Sequence, residues 1–352
     1  MRWLAFLIVG LPIAIVGRIL HAPDWAIFLS SAVALLPLAA WIGLATEHAA
    51  SRLGSAVGGL LNATFGNAAE LIITIFALRR GLTELVKASI TGSIIGNTLL
   101  ILGLSAFLGG IRHGNQRFAV KDAGRHAAMM ILAVSAMVLP AVFATVEKSA
   151  FIREEVSVGV SILLLATYGA YIFYSYFSRE ARKEAAAAPA AHAPAGKPWS
   201  LGKSLGVLSA AVVGTGVASE LLVHTVEPMT KTLGLSQFFV GLIVIPLVGN
   251  VAEHYSAITF ARRNHMELSL SIAANSSTQI AVFVAPLLVL VSLLFHPMDL
   301  IFQPIELVTL FSCTAIFAYI CLDGETNWLE GVQLLALYLI AAVSFFFLPN
   351  LP

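Results

Sequence analysis

Two stretches of the chain set a carboxylate inside an apolar run: FGNAAELIITIFALRRG, residues Phe65 to Gly81, and VGNVAEHYSAITFARRN, residues Val248 to Asn264. A carboxylate at the centre of a membrane helix costs several kcal/mol, so it faces a protein interior or a water-filled cavity. Each Glu follows a Gly and an Asn in fixed register, Gly66 and Asn67 before Glu70, Gly249 and Asn250 before Glu253. Both residue types are poor helix formers, and Asn bonds readily to nearby backbone. The helix is therefore expected to open at these points and to free carbonyl oxygens. Amides and hydroxyls on the spans that follow, Ser93 and Asn97 in one half and Ser276 and Gln279 in the other, would complete an all-oxygen site. Hard cations such as Ca2+ take such ligands, six to eight oxygens at about 2.3–2.6 Å with water included. No His/Cys cluster suits zinc or copper. His254, next to Glu253, points about 100° away from it on a helix. Protons and a metal compete for the same carboxylate oxygens, which couples cation release to protonation without ATP.

The elements that must hold these residues are membrane spans. Of 352 residues, 59% are hydrophobic and 11% charged, where a soluble globular domain carries about 25% charged residues. Mean hydropathy is +0.90. The formal net charge of +1 comes with no basic face or aromatic-basic interleaving, which excludes a nucleic-acid partner. Apolar runs of roughly 20 residues cross the hydrocarbon layer, and about eleven candidates occur. They lie near 3–21, 25–45, 55–78, 87–109, 126–146, 155–177, 204–224, 236–261, 268–294, 304–321 and 329–348. The N-terminal MRWLAFLIVGLPIAIVGRIL lacks a clear small-x-small cleavage site and reads as a retained first span. SREARKEAAAAPAAHAPAGKPWS, Ser178 to Ser200, is the one hydrophilic Ala/Pro-rich stretch and reads as a linker. Cys313 and Cys321 share one apolar segment, show no disulfide or metal spacing, and read as packing residues.

Basic residues give the orientation. Arg2, Arg52, Arg112, Arg117, Lys121, Arg125, the linker cations, Arg262 and Arg263 fall on the side of the N-terminus. That side is expected to be cytoplasmic and the C-terminus outside; Arg79, Arg80 and Lys87 oppose the trend. Intramembrane hydrolysis and ATP-driven pumping have no motif. HExxH is absent, and GKPWSLGKS lacks the glycine spacing of a phosphate loop. The chain does not read as an enzyme.

Laying the chain on itself so that Gly66 meets Gly249 also pairs Asn67 with Asn250, Glu70 with Glu253, Arg79 with Arg262 and Arg80 with Arg263. Upstream, GLATEHAA resembles GVASELLV and pairs Glu47 with Glu220; downstream, SITGSIIGN resembles SIAANSSTQ and pairs Asn97 with Gln279. The order of the three elements is kept. Each unit would hold five helices, so the two copies enter the membrane from opposite sides, the inverted repeat of many secondary transporters. The expected fold is an all-α membrane protein of about eleven helices, one extra N-terminal helix and two inverted five-helix repeats. The divisions fall at 1–22, 23–177, a cytoplasmic linker over 178–202, and 203–352.

The two motif regions, GNAAELIITIFALRRGLTELVKASITGSIIGNTLLILG and GNVAEHYSAITFARRNHMELSLSIAANSSTQIAVFVAPLLVL, resemble the repeats of the Ca2+/H+ antiporters, the CAX branch of the Ca2+/cation antiporter superfamily. The resemblance covers the chain from about Gly43 to the last span. It implies a central cation site on Glu70 and Glu253, supported by Asn97, Gln279 and nearby Ser residues, with the helices of Glu47 and Glu220 taking part in alternating access. Sodium-coupled branches carry Ser/Thr-Pro-Glu or Ser-Pro-Asp motifs at these positions, so Gly-Asn-x-Ala-Glu implies protons as counter-ion. Two features depart from the pattern. The linker mixes Arg, Lys and Glu where some members have an acidic stretch, and AANSS around Asn275 replaces a common Gly-Ser-Ser form.

The expected activity is Ca2+/H+ exchange in a bacterial-type inner membrane, with Ca2+ and H+ as substrates and no cofactor. A monovalent-cation/H+ antiporter on the same scaffold and a cation channel are the alternatives. The oligomeric state, a homo-oligomer included, is left open.

Overall fold

The computed structural model describes residues 4–53, 55–177 and 199–348. Nearly everything described is helical. After a short 3-10 turn at Leu4–Val9 come α1 (Gly10–Ile19), α2 (Asp24–Leu53), α3 (Ser55–Phe65) and α4 (Ala68–Arg79). Then follow α5 (Thr83–His113), α6 (Val120–Val146), α7 (Ala150–Phe177) and α8 (Leu201–Leu233). The second half continues with α9 (Gln237–Gly249), α10 (Val251–Ala261), α11 (Met266–Ser292), α12 (Pro304–Ile320) and α13 (Trp328–Phe346). A two-residue antiparallel ribbon pairs β1 (Gln116–Arg117) with β2 (Glu325–Thr326).

Among the described residues seven helices are individually long and apolar enough to cross a bilayer, and α9 with α10 makes an eighth when counted as one span bent by 64°. Ala5–Ile19 and Pro304–Ile320 are apolar but shorter. The candidate span near 55–78 is divided into α3 and α4, with turn conformation at Gly66 and Asn67. The candidate near 236–261 divides at Asn250, whose φ of −98° and ψ of 15° leave the helical range. Both breaks fall on the Gly-Asn pair, where two weak helix formers adjoin. The greater part of the Ser178–Ser200 stretch lies outside the described residues.

Three helices loosen without breaking. π-helical turns occupy Gly96–Ile101 in α5, Val240–Val244 in α9 and Ile280–Val284 in α11. Such turns are rare and concentrate at functional positions.

The chain forms two compact units. One comprises Met1–Phe76 and Leu165–Met229, the other Ala77–Leu164 and Thr230–Pro352. In the first, Ile42 and Ala45 of α2, Ala68 of α4, and Leu208 and Ala211 of α8 form a buried cluster, with Trp41, Phe65 and Trp199 packed against it. His48 stacks on Trp199 with ring centroids 4.3 Å apart, Arg52 Nε donates to the Trp199 carbonyl at 3.1 Å, and Lys203 lies 4.6 Å over the indole. The start of α8 is thereby tied to the end of α2.

In the second unit α5 and α11 are central. Their apolar windows are 72% and 67% buried, against 33% for α6 and 28% for α13. The outer helices present Leu139, Phe311, Tyr319, Leu339 and Ile340 at their surface, as lipid-facing helices do. α5 lies against the π turn of α9 so closely that a methyl group at Gly92 would overlap the Leu242 carbonyl, and one at Gly241 would stand 2.7 Å from the Leu85 carbonyl. Glycine is required at both positions because backbone meets backbone. Cys313 and Cys321 are free thiols and buried.

Candidate functional site

In the second unit four predicted polar residues form one buried hydrogen-bonded chain. Asn97 Nδ2 donates to Ser276 Oγ at 2.9 Å, and Ser276 Oγ donates to Asn250 Oδ1 at 3.5 Å. Asn250 Nδ2 donates in turn to Ser93 Oγ at 3.3 Å and to the Pro246 carbonyl at 3.2 Å. All four are buried, Asn97 and Asn250 at 0% exposure. Asn97 Oδ1 is buried with no hydrogen-bond partner among the described residues. A buried carbonyl oxygen left without a donor carries a desolvation penalty of about 1–3 kcal/mol, and a bound cation would relieve it.

The local sequence explains the arrangement. Ser93 and Asn97 are four apart and share a face of α5, and Asn97 stands in the π turn, Gly96–Ile101. Gln279 directly precedes the π turn of α11 and is half-buried. Asn250 stands in the break between α9 and α10, where its carbonyl accepts from His254 N at 2.9 Å. Glu253 lies in the first turn of α10, half-buried, at the helix end whose free N–H groups and dipole favour negative charge. Gly249, the last residue of α9, is buried. His254 is buried as well.

In the first unit Glu70 occupies the equivalent place, the first turn of α4. It is 3% exposed, as is Asn67. Asn67 O accepts from Leu71 N at 3.0 Å, and Thr74 Oγ1 donates to the Glu70 carbonyl at 2.7 Å. Gly66 is half-buried in the turn. Glu47 and Glu220 are exposed, on α2 and α8.

A second polar cluster lies in the second unit, around Lys87 and Glu306. Lys87 is buried, with Nζ 2.6 Å from Asp299 Oδ1 and 3.2 Å from Glu84 Oε1. Its charge is neutralised locally by the two carboxylates. Glu306 is fully buried; Thr91 Oγ1 donates to it at 2.8 Å and Gln303 N at 2.9 Å. Gln303-Pro304-Ile305-Glu306 closes a capping box with Gln at the N-cap, and only its Pro at N1 and Glu at N3 were legible in the sequence. Its partner Thr91 was not, because 215 residues separate the two.

Among the described residues no three His, Cys, Asp or Glu side chains group to hold a metal. The donors assembled in the second unit are amides and hydroxyls, which suit a hard cation rather than a soft one.

A family profile described as "Sodium/calcium exchanger protein" matches residues 24–177 and 203–347. The chain is 42% identical to the Ca(2+)/H(+) antiporter of Aphanothece halophytica over 98% of its length and 96% of the relative's. It is 40% identical to the Ca(2+)/H(+) antiporter ChaA of Bacillus subtilis (strain 168), over 96% and 97%. Its fold superimposes on the solved structure of native YfkE with a TM-score of 0.85 at 38% identity, covering 98% of this chain and all of the other (100%). The H+/Ca2+ exchanger CAX crystal structure matches with a TM-score of 0.74 at 15% identity, over 98% and 91%, a likeness of fold alone.

Proposed function

The chain belongs to the sodium/calcium exchanger protein family, and from that premise we propose that it is a secondary antiporter that moves Ca2+ out of the cytoplasm in exchange for protons. Antiporter relatives at about 40% identity over nearly the full length support the choice of substrates. The observation that carries the mechanism is the pair of broken helices. Each opens at Gly-Asn and starts again with a Glu in its first turn, Glu70 in α4 and Glu253 in α10.

The cation is ligated near the bilayer midplane by Glu70 and Glu253, with Asn97, Gln279 and backbone oxygens near Gly66 and Gly249. Asn67, Asn250, Ser93 and Ser276 hold those ligands in place. Protons reaching the two carboxylates release Ca2+ on one side, and Ca2+ displaces protons on the other. The helices carrying Glu47 and Glu220 gate access. Eleven crossings are arranged as one N-terminal span, residues 1–22, and two inverted five-crossing repeats, 23–177 and 203–352, joined by a cytoplasmic linker over 178–202. Two parallels support the repeat: the second crossing of each half is broken at Gly-Asn, and the third carries a π turn beside Asn97 or Gln279. The protein sits in a bacterial inner membrane, with its N-terminus cytoplasmic and its C-terminus outside.

Everted vesicles with an imposed pH gradient test the reading. Added Ca2+ is expected to collapse the gradient. Collapse by Na+ or K+ but not Ca2+ would assign a monovalent cation, and cation flux with no proton movement would assign a channel. Glu70→Gln and Glu253→Gln are each expected to abolish exchange while protein remains in the membrane. Substantial exchange in either variant would remove the shared-carboxylate mechanism.

A further inference from the structure

Gln116 stands in the ribbon that follows α5, far along the chain from both Gly-Asn motifs, yet it is 1% exposed. Its Nε2 donates to the Ala261 carbonyl at 2.9 Å and to Asn264 Oδ1 at 3.0 Å. Ala261 is the last residue of α10. Asn264 takes the left-handed conformation, φ 63°, that ends the turn after it. One amide thus grips both the final carbonyl of the half-helix and the residue that terminates it. His113 adds a second tie, its Nε2 lying 3.1 Å from the Arg262 carbonyl.

The grip has a rigid mounting. Gln116 pairs with Thr326 and Arg117 with Glu325 across the ribbon. Arg117 Nε and Glu325 Oε1 form an ion pair at 2.9 Å, and Phe118 N donates to the Gly324 carbonyl at 2.9 Å. The next residue, Asn327, caps α13 by accepting from Leu329 N and Glu330 N. The side chain itself lies against Gly109 of α5, where an added methyl group would overlap its Oε1 and stand 3.0 Å from the Ala261 carbonyl that the amide holds. Backbone pairing and a glycine slot therefore fix where the amide sits, and the acceptor at Ala261 fixes which way it faces.

Glu253 lies at the other end of the same rod, eight residues before Ala261 and so about 12 Å away at the helical rise. A helix interrupted at Asn250 lacks the continuous hydrogen-bond ladder that would hold its axial position from the α9 side. We propose that Gln116 is a positioning residue for Glu253: it fixes the far end of α10 and thereby the height at which the carboxylate meets the cation. This rests on the assignment of Glu253 as a cation ligand. An α10 held in register only part of the time weakens apparent Ca2+ affinity by the fraction of time it is out of place, while the turnover of the correctly placed fraction is unaltered.

Two variants loosen the grip differently. Q116M keeps the side chain's length and apolar stem and removes the donor. G109A keeps the amide and pushes it from its slot. In everted vesicles each is expected to raise the KM for Ca2+ about three- to tenfold, as the loss of the amide's hydrogen bonds to Ala261 and Asn264 would. Vmax per copy should stay within about twofold of the parent, since the chemistry at Glu253 is untouched. The double variant should be no worse than the more affected single, because both act on one contact. Deuterium uptake by the purified full chain, read in peptides covering 251–265, should rise in both singles. A change confined to protein amount with KM unmoved, or unchanged uptake over 251–265, would overturn the proposal; G109A decides the matter if Q116M does not accumulate. Glu253→Gln, assayed alongside, separates the two ideas. Normal exchange in that variant removes the ligand assignment. Its inactivity, beside an unmoved KM in Q116M and G109A, removes only the positioning role.

Discussion

Asn97 is the residue whose surroundings say most about the site. Its amide nitrogen is committed to Ser276 and its oxygen has no donor among the described residues, so the side chain is held in one orientation with an acceptor to spare. Swapping the amide's ends would set a carbonyl against Ser276 Oγ, and the chain from Asn97 through Ser276 and Asn250 to Ser93 would lose its direction. Ser276→Ala removes the hydroxyl in the middle of that chain. It strands one donor on Asn97 and one acceptor on Asn250, a cost of about 1–3 kcal/mol in a buried setting. The expected outcome is a several-fold higher KM for Ca2+ with protein still in the membrane, read from initial exchange rates; an unmoved KM would make the chain a packing feature only. The pairing of Asn97 with Ser276 was not legible in the sequence, although both residues were named there, because 179 positions separate them.

At the scale of elements, the breaks were legible and the π turns were not. Gly66-Asn67 and Gly249-Asn250 are weak helix formers side by side, and the chain leaves the helix at Gly66 and Asn67 and at Asn250. GNTLLI opens with the same Gly-Asn pair yet stays helical as a π turn, and nothing in IAVFV distinguishes a π turn from ordinary helix, since the extra residue per turn is accommodated by neighbours rather than by propensity. Packing of α5 on α9 supplies such a constraint and a test. Gly92→Ala would drive a methyl group into the Leu242 carbonyl, whereas Gly216 of α8 has only Phe76 Cε2 at 3.8 Å. Overpacking of the first kind typically costs about 1–3 kcal/mol. In the second case removing a helical glycine stabilises by roughly 0.5–1 kcal/mol. Thermal unfolding of purified protein in detergent should show a lower midpoint for Gly92→Ala and an unchanged or higher one for Gly216→Ala. Equal midpoints would mean that α5 and α9 do not approach so closely.

For the whole molecule the proposed exchange has a definite pH signature. Protons and Ca2+ compete for Glu70 and Glu253, so raising the pH on the Ca2+-loading side should lower the KM for Ca2+, and acidifying it should raise the KM. A KM independent of pH on that side, measured in vesicles with the opposite side held fixed, would uncouple the carboxylates from the proton. The sequence by itself determined the solvent of the fold, since 59% hydrophobic and 11% charged residues leave only the bilayer. It marked too the carboxylates of the two apolar motifs and the Gly-Asn pairs at which their helices open, though not Glu306, which is fully buried. Each of these follows from composition or from a few adjacent residues. Tertiary structure alone decided which amide meets which hydroxyl, that Lys87 is neutralised by Asp299, and that Gln116 reaches from a ribbon to the end of α10. The pairs Asn97–Ser276, Lys87–Asp299 and Gln116–Ala261 join residues more than 140 positions apart. They depend on helix rotation and axial height to within an ångström or so, the tolerance of a hydrogen bond. Local sequence does not set helix rotation and height to that tolerance; the packing of whole helices does.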